Sequence, residues 1–189
     1  MKWFCIIFFI VGICQNTFSQ DTLSFEQKVA LYMKNRKPEA IFSFIDSTIP
    51  NCKLLTLNGD SLEVNQWKGK VTVINFWFSN CAPCIAEMPV LSEIQSKFSD
   101  TLVNFVAMTF EDAAKAEKIQ GLKKFYFEHI VEAKSYIDLL GVKQYPKTLI
   151  LSKDLTLMNV VGPIRHEFTK EDIESWKIEL IEKIQKCLE

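Results

Sequence analysis

Residues 71–84 read VTVINFWFSNCAPC, and this stretch decides the fold. Val71 to Phe78 is an almost unbroken apolar run, the pattern of a strand buried on both faces. Cys81-Ala82-Pro83-Cys84 follows it and opens a helix expected to run to Phe98, with Ala86, Val90, Leu91 and Ile94 along its apolar face. A sulfur at a helix start meets unpaired backbone N–H groups and the positive end of the helix dipole. Both favour thiolate over thiol, so Cys81 is expected to ionise below the free cysteine value of about 8.5. Pro83 suits a first helical turn, where its missing N–H costs little. Three residues of helix bring Cys84 to the same face as Cys81, close enough for a small disulfide ring. The chemistry this predicts is exchange: Cys81 attacks a partner disulfide, and Cys84 then attacks Cys81 and releases the reduced partner.

Working outward, Leu102 to Met108 reads as a second buried strand and Ala113 to Lys124 as a helix with Ile119 and Leu122 inward. Phe127 to Val131 is a short strand, and Ser135 to Leu140 a short helix closed by Gly141. Thr148 to Leu151 and Leu157 to Val161 pair about a turn at Asp154. Thr169 caps a last helix with Ile173, Trp176, Leu180, Ile181, Ile184 and Leu188 in its buried stripe. On the N-terminal side, Leu55 and Leu57 alternate before Asn58-Gly59-Asp60, a hairpin turn, and Leu62 and Val64 alternate after it. The order of elements predicts an α/β fold with a central mixed sheet and helices on both faces.

Residues 50–189 form that domain. Residues 20–49 read as a helical extension packed on it, with Phe25, Val29, Tyr32 and Met33 at helical spacing until Pro38. Residues 1–19 read as a signal peptide: Lys2, then a nearly all-apolar run from Trp3 to Cys14, then a polar stretch with small residues before Gln20. The run is too short for an ordinary membrane span. An uncleaved anchor is the alternative.

Composition narrows the function. A net charge of -1 without a basic stripe argues against nucleic acid as a partner. Only two histidines, His129 and His166, are present, and no second Cys-x-x-Cys, so Cys81 and Cys84 lack the further ligands a zinc site needs. No metal and no cofactor is expected. Of the six cysteines, Cys52 and Cys187 also lie beyond the leader; their spacing leaves open both a structural disulfide and two free thiols. Trp67 and Phe76 read as core packing. Trp77 likewise reads as core packing, near the edge of the active site, and with Asn80 and Pro83 is a candidate to meet a substrate.

Asn75 to Pro89 (NFWFSNCAPCIAEMP) resembles the active-site stretch of the thioredoxin-like, TlpA-like family of extracytoplasmic thiol–disulfide oxidoreductases. Gly69-Lys70-Val71, Gly141-Val142, Tyr145-Pro146-Lys147-Thr148 and Gly162 extend the likeness over roughly residues 50 to 189. The resemblance implies a thioredoxin-like fold and a cis Pro146 facing the disulfide, with the Tyr145 backbone open to a partner chain. It also implies a partly buried Glu87 that manages protons near Cys84. Pro89 lies inside the helix and is expected to kink it. Two departures stand out: the family's tryptophan before the first cysteine is Asn80 here, and the buried aspartate of thioredoxin itself is Asn75. The partners implied are disulfide-containing client proteins, apocytochromes among those that fit, and a membrane thiol carrier as electron donor. A thiol peroxidase of related fold resembles this chain less well, since Phe78 stands where such enzymes have threonine. A binding module with a static disulfide is the non-enzymatic alternative.

Overall fold

The computed structural model of the protein describes residues 24–35, 37–164 and 168–189. The leader expected over residues 1–19, and His166, lie outside them. The chain divides into two units, residues 1–37 and 38–189. In the first, α1 (Phe25–Asn35) is the helix expected from Phe25 and Val29. Ser24 opens it with a reciprocal cap: its hydroxyl accepts from the Gln27 N–H at 3.2 Å, and its own N–H donates to the Gln27 side chain at 2.9 Å.

The second unit holds β1 (Lys53–Thr56), β2 (Ser61–Glu63), β3 (Val71–Phe76), α2 (Ala82–Gln95), β4 (Val103–Met108), α3 (Ala113–Lys123), β5 (Glu128–Val131), α4 (Lys134–Leu140), β6 (Lys147–Leu151), β7 (Leu157–Val161) and α5 (Lys170–Leu188). The strands form one mixed sheet in the order β2-β1-β5-β4-β3-β6-β7. β3, β4 and β5 run parallel, and β1, β2, β6 and β7 join antiparallel. Every residue of β3 is buried because the strand lies between β4 and β6 and each sheet face carries its own core. Val71 and Val73 face Leu91 and Ile94 of α2, Ala116 of α3, and Trp176, Leu180 and Ile184 of α5. Ile74 and Phe76 face Trp67 and the α4 residues Tyr136, Ile137 and Leu140. This is the sandwich expected from the sequence.

Several details differ. The compact unit begins at Pro38 rather than at residue 50. Ile41 and Ile49 are buried in the second core, and residues 45–49 run beside the edge strand β7. There Asp46 N–H donates to the Leu157 carbonyl at 2.9 Å, Leu157 N–H to Ser47 at 2.9 Å, and Ile49 N–H to Leu155 at 3.1 Å. The segment thereby covers part of an edge that would otherwise present unpaired backbone groups. Leu122, expected inward, is 68% exposed. It lies about 120° round the helix from Ala116, at roughly 100° per residue, and only the Ala116 side of α3 meets the sheet. Val64 leaves the strand and opens a 3₁₀ turn to Trp67, capped by Glu63. Cys52 and Cys187 are free thiols.

Candidate active site

The reactive pair sits where β3 gives way to α2. Cys81 is the N-cap of α2, with extended backbone, and its Sγ accepts the Cys84 N–H at 3.2 Å. Its carbonyl accepts the first helical bond, from Ile85 N–H at 3.0 Å. Pro83 falls within the first turn, where no intrahelical donor is lost. Cys81 and Cys84 are joined as a disulfide, with their Cα atoms 5.2 Å apart. Cys81 keeps 5% of its surface in solvent and Cys84 only 1%, so Cys81 is the sulfur a partner can reach. Pro89 lies inside α2, which continues through it and ends at Gln95, three residues short of Phe98.

The loop between β3 and Cys81 is anchored by a residue the sequence reading did not single out. Glu111 follows β4 and is nearly buried. Its Oε2 accepts the Ser79 N–H at 2.6 Å and its Oε1 the Ser79 hydroxyl at 2.7 Å. Glu111 is itself fixed, donating its N–H to Thr109 Oγ1 at 3.2 Å and accepting the Glu132 N–H at 2.9 Å on its carbonyl. Its position was a usable signal: it lies just beyond the C-terminal end of a parallel strand, where α/β sheets gather their functional residues. Glu111→Ala leaves the Ser79 amide without its acceptor and is expected to cost about 1–3 kcal/mol. It should also slow alkylation of reduced Cys81 at neutral pH, by loosening the N-cap. Glu111→Gln retains an acceptor for the amide and a donor for the hydroxyl, so it should keep most of both properties. Thermal melts and iodoacetamide kinetics on the two variants check this.

The second wall is built by the loop before β6. The Tyr145–Pro146 bond is cis, as the resemblance implied, and Pro146 is buried. Tyr145 packs edge-on against Phe78 with ring centres 5.4 Å apart and against Phe110 at 6.0 Å. Burial first, then the charges of Asp138 and Glu39, push the Tyr145 phenol up to about 12, so it is a neutral hydrogen-bonding group at physiological pH. Between this loop and α2 lies a groove of about 680 Å³, lined by Ala82, Pro83 and Ala86 on one side and by Tyr145, Pro146, Pro163, Ile164 and Phe168 on the others. The lining is largely apolar. Ile164 and Phe168 are not singled out by the sequence as part of this surface, nor is Phe110 as the ring that backs Tyr145.

Glu87 lies one turn beyond Cys84 on the buried side of α2 and is 1% exposed. Its Oε1 accepts the Ile164 N–H at 2.8 Å. Burial raises its carboxyl to about 8, partly opposed by that hydrogen bond. At neutral pH its protonated form is therefore favoured. Of the candidates to meet a substrate, Asn80 and Pro83 are exposed and Tyr145 half-buried. Trp77 is corrected. It is fully buried and stacks edge-on against His129 at 5.7 Å; β3 alternation turns it into the first core, so it supports the site from below and touches no substrate. Asn75 is also buried, donating Nδ2–H to Thr148 Oγ1 at 3.1 Å.

A cysteine pair at the start of a helix, laid beside a cis-proline loop on a mixed sheet, defines a thiol–disulfide oxidoreductase of thioredoxin fold. The chain belongs to the Redoxin family, whose model matches residues 45–183. It is 32% identical over 130 residues to thioredoxin-like protein YneN of Bacillus subtilis, covering 66% of this chain and 74% of the relative. It is 31% identical over 136 residues to the thiol-disulfide oxidoreductase ResA of Bacillus anthracis, covering 70% and 76%. Among solved structures, a thiol:disulfide interchange protein from Chlorobium tepidum superposes with a TM-score of 0.61 at 17% identity, over 75% of this chain and 96% of that one, which bears on the fold alone.

Proposed function

We propose that the protein works as a protein-disulfide reductase outside the cytoplasm. The observation that carries this is the placement of Cys81: an N-cap sulfur with a backbone N–H aimed at it, directly before Ala82 and Pro83, which line an apolar groove. In the reduced protein that N–H and the helix dipole favour the Cys81 thiolate. The thiolate attacks one sulfur of a client disulfide and expels the other as a thiolate. Cys84, deprotonated, then attacks Cys81 Sγ and releases the second client sulfur. The client gains two electrons and two protons in all, and the enzyme is left with its Cys81–Cys84 disulfide. In this reading the Cys84 proton leaves through Glu87, one turn further into the helix, whose ionised form accepts it; that form is the minority at neutral pH and the majority above about 8. The client is an extended chain with apolar residues beside its cysteine, matching the lining of Ala82, Ala86, Ile164 and Phe168.

The apolar run from Trp3 to Cys14 supports export or tethering by the N-terminus. Among the described residues no helix is long and apolar enough to cross a membrane. Outside the cytosol the oxidised enzyme needs a dithiol to restore it, and a membrane thiol carrier fits that need. The test is the midpoint potential of the Cys81–Cys84 couple together with insulin reduction. A reductase is expected nearer the thioredoxin value of about -270 mV than the DsbA value of about -120 mV. A potential near the latter, with oxidation of reduced clients, overturns the proposed direction.

A further inference from the structure

Glu39 lies ahead of β1, in the part of the chain that the sequence assigns to an extension rather than to the domain. Its Oε1 sits 2.7 Å from the Lys147 Nζ, and its Oε2 accepts the Lys143 N–H at 3.2 Å. One carboxylate thus holds two points four residues apart, and Tyr145 and Pro146 lie between them. The ion pair is enclosed: the Glu39 side chain is 8% exposed and that of Lys147 6%. The Lys147 ammonium also lies 5.6 Å from the centre of the Phe42 ring. Next to Glu39, Ala40 fits so closely over the start of the loop that a β-carbon on Gly141 would come within 2.5 Å of the Ala40 Cβ. Tyr145 also feels the Glu39 charge.

A buried ion pair is a poor source of stability, because desolvating both charges offsets their attraction, and a well-packed apolar pair of similar size often serves as well. Its two-point attachment to the loop therefore points to geometry. We propose that Glu39 is a positioning residue for disulfide exchange: it clamps both ends of the Lys143–Lys147 loop and so fixes Tyr145 and Pro146 as the groove wall against which a client chain is laid. This rests on the groove being where clients bind. The residue acts through the loop and does not itself reach the sulfurs' chemistry.

The experiment replaces the pair in the full-length protein, Glu39→Met with Lys147→Met, and compares the rate constants of the reduced protein with insulin and with oxidised glutathione. The small disulfide needs access to Cys81 but little of the wall. An apolar pair should keep the melting temperature within a few degrees of the parent, while the insulin-to-glutathione rate ratio falls roughly tenfold, as expected when a positioning contact is lost. Glu39→Gln, which keeps an acceptor oxygen but loses the charge, is read the same way and should show a smaller fall. A ratio at the parent value in either variant, folded, overturns the clamp. Ala86→Trp, which fills the groove from the α2 side, serves as the reference. If it leaves the ratio unchanged, clients do not use the groove; that reading fails and the clamp falls with it.

Discussion

Cys81→Ser is expected to abolish insulin reduction, leaving only the rate of buffer and dithiol alone, whereas Cys84→Ser is expected to stop the cycle one step later and accumulate protein joined to client through Cys81. The asymmetry follows from position. Cys81 is the N-cap sulfur and the more exposed of the two, at 5% against 1%, and it receives the Cys84 backbone N–H. That contact and the helix dipole act on Cys81 as a nucleophile. Cys84 lies in the first turn beneath it, shielded from partners, and can attack only a sulfur already attached at Cys81. Serine at 84 removes the resolving thiol but leaves the nucleophile, so the mixed disulfide persists. Serine at 81 removes the sulfur of the pair that a client can meet. Two measurements check this: non-reducing gels of each variant after mixing with a disulfide client, and alkylation of the reduced protein across pH. Faster alkylation of Cys84 than of Cys81 at neutral pH would show the two roles to be reversed.

Why the sequence revealed so much of this centre, and so little of its surroundings, has a physical explanation. An eight-residue apolar run followed by Cys81-Ala82-Pro83-Cys84 admits few readings, because a strand buried on both faces requires neighbours on both sides and the pair requires a helix start. The hairpin at Asn58-Gly59, the closure of α4 at Gly141 and the cap at Thr169 were equally local, each fixed by one or two residues. What escaped detection was non-local. Glu111 reaches Ser79 across 32 positions and Glu39 reaches Lys147 across 108, and an acidic residue in either place looks like an ordinary surface charge until the fold is closed. Ile41 and Ile49 showed apolar character but not that their partners lay on the far side of the sheet. Trp77 is the core residue its apolar run implies, and the same strand alternation that turns it into the core keeps it from meeting a substrate.

The second large effect concerns Glu87 and pH. Its carboxyl, ordinarily near 4.5, is raised to about 8 by burial. Between these values the folded protein keeps a proton that the unfolded chain has lost, so stability falls as pH rises through the window. Below about 4.5 both states are protonated and Glu87 contributes no difference. Above about 8 both are ionised and the folded state bears the full cost of a buried carboxylate, on the order of 4 to 5 kcal/mol. Glu87→Gln removes the titration and retains an acceptor for the Ile164 N–H. Its stability relative to the parent should therefore be close to zero at pH 4, rise through neutrality and level off above pH 8, as followed by denaturant unfolding at a series of pH values. A gap that stays flat with pH means the carboxyl titrates alike in the folded and unfolded protein, so that burial has not raised it. The same substitution takes away the titratable carboxyl one turn from Cys84, so resolution of the mixed disulfide should slow, most clearly towards pH 8 where the ionised form is populated, while the first attack by Cys81 is spared. Stopped-flow separation of the two steps distinguishes that pattern from a general loss of packing, which would slow both. A gain in stability joined to a loss confined to the second step is the signature of a group kept buried for the proton it carries, since a packing residue gives no such trade.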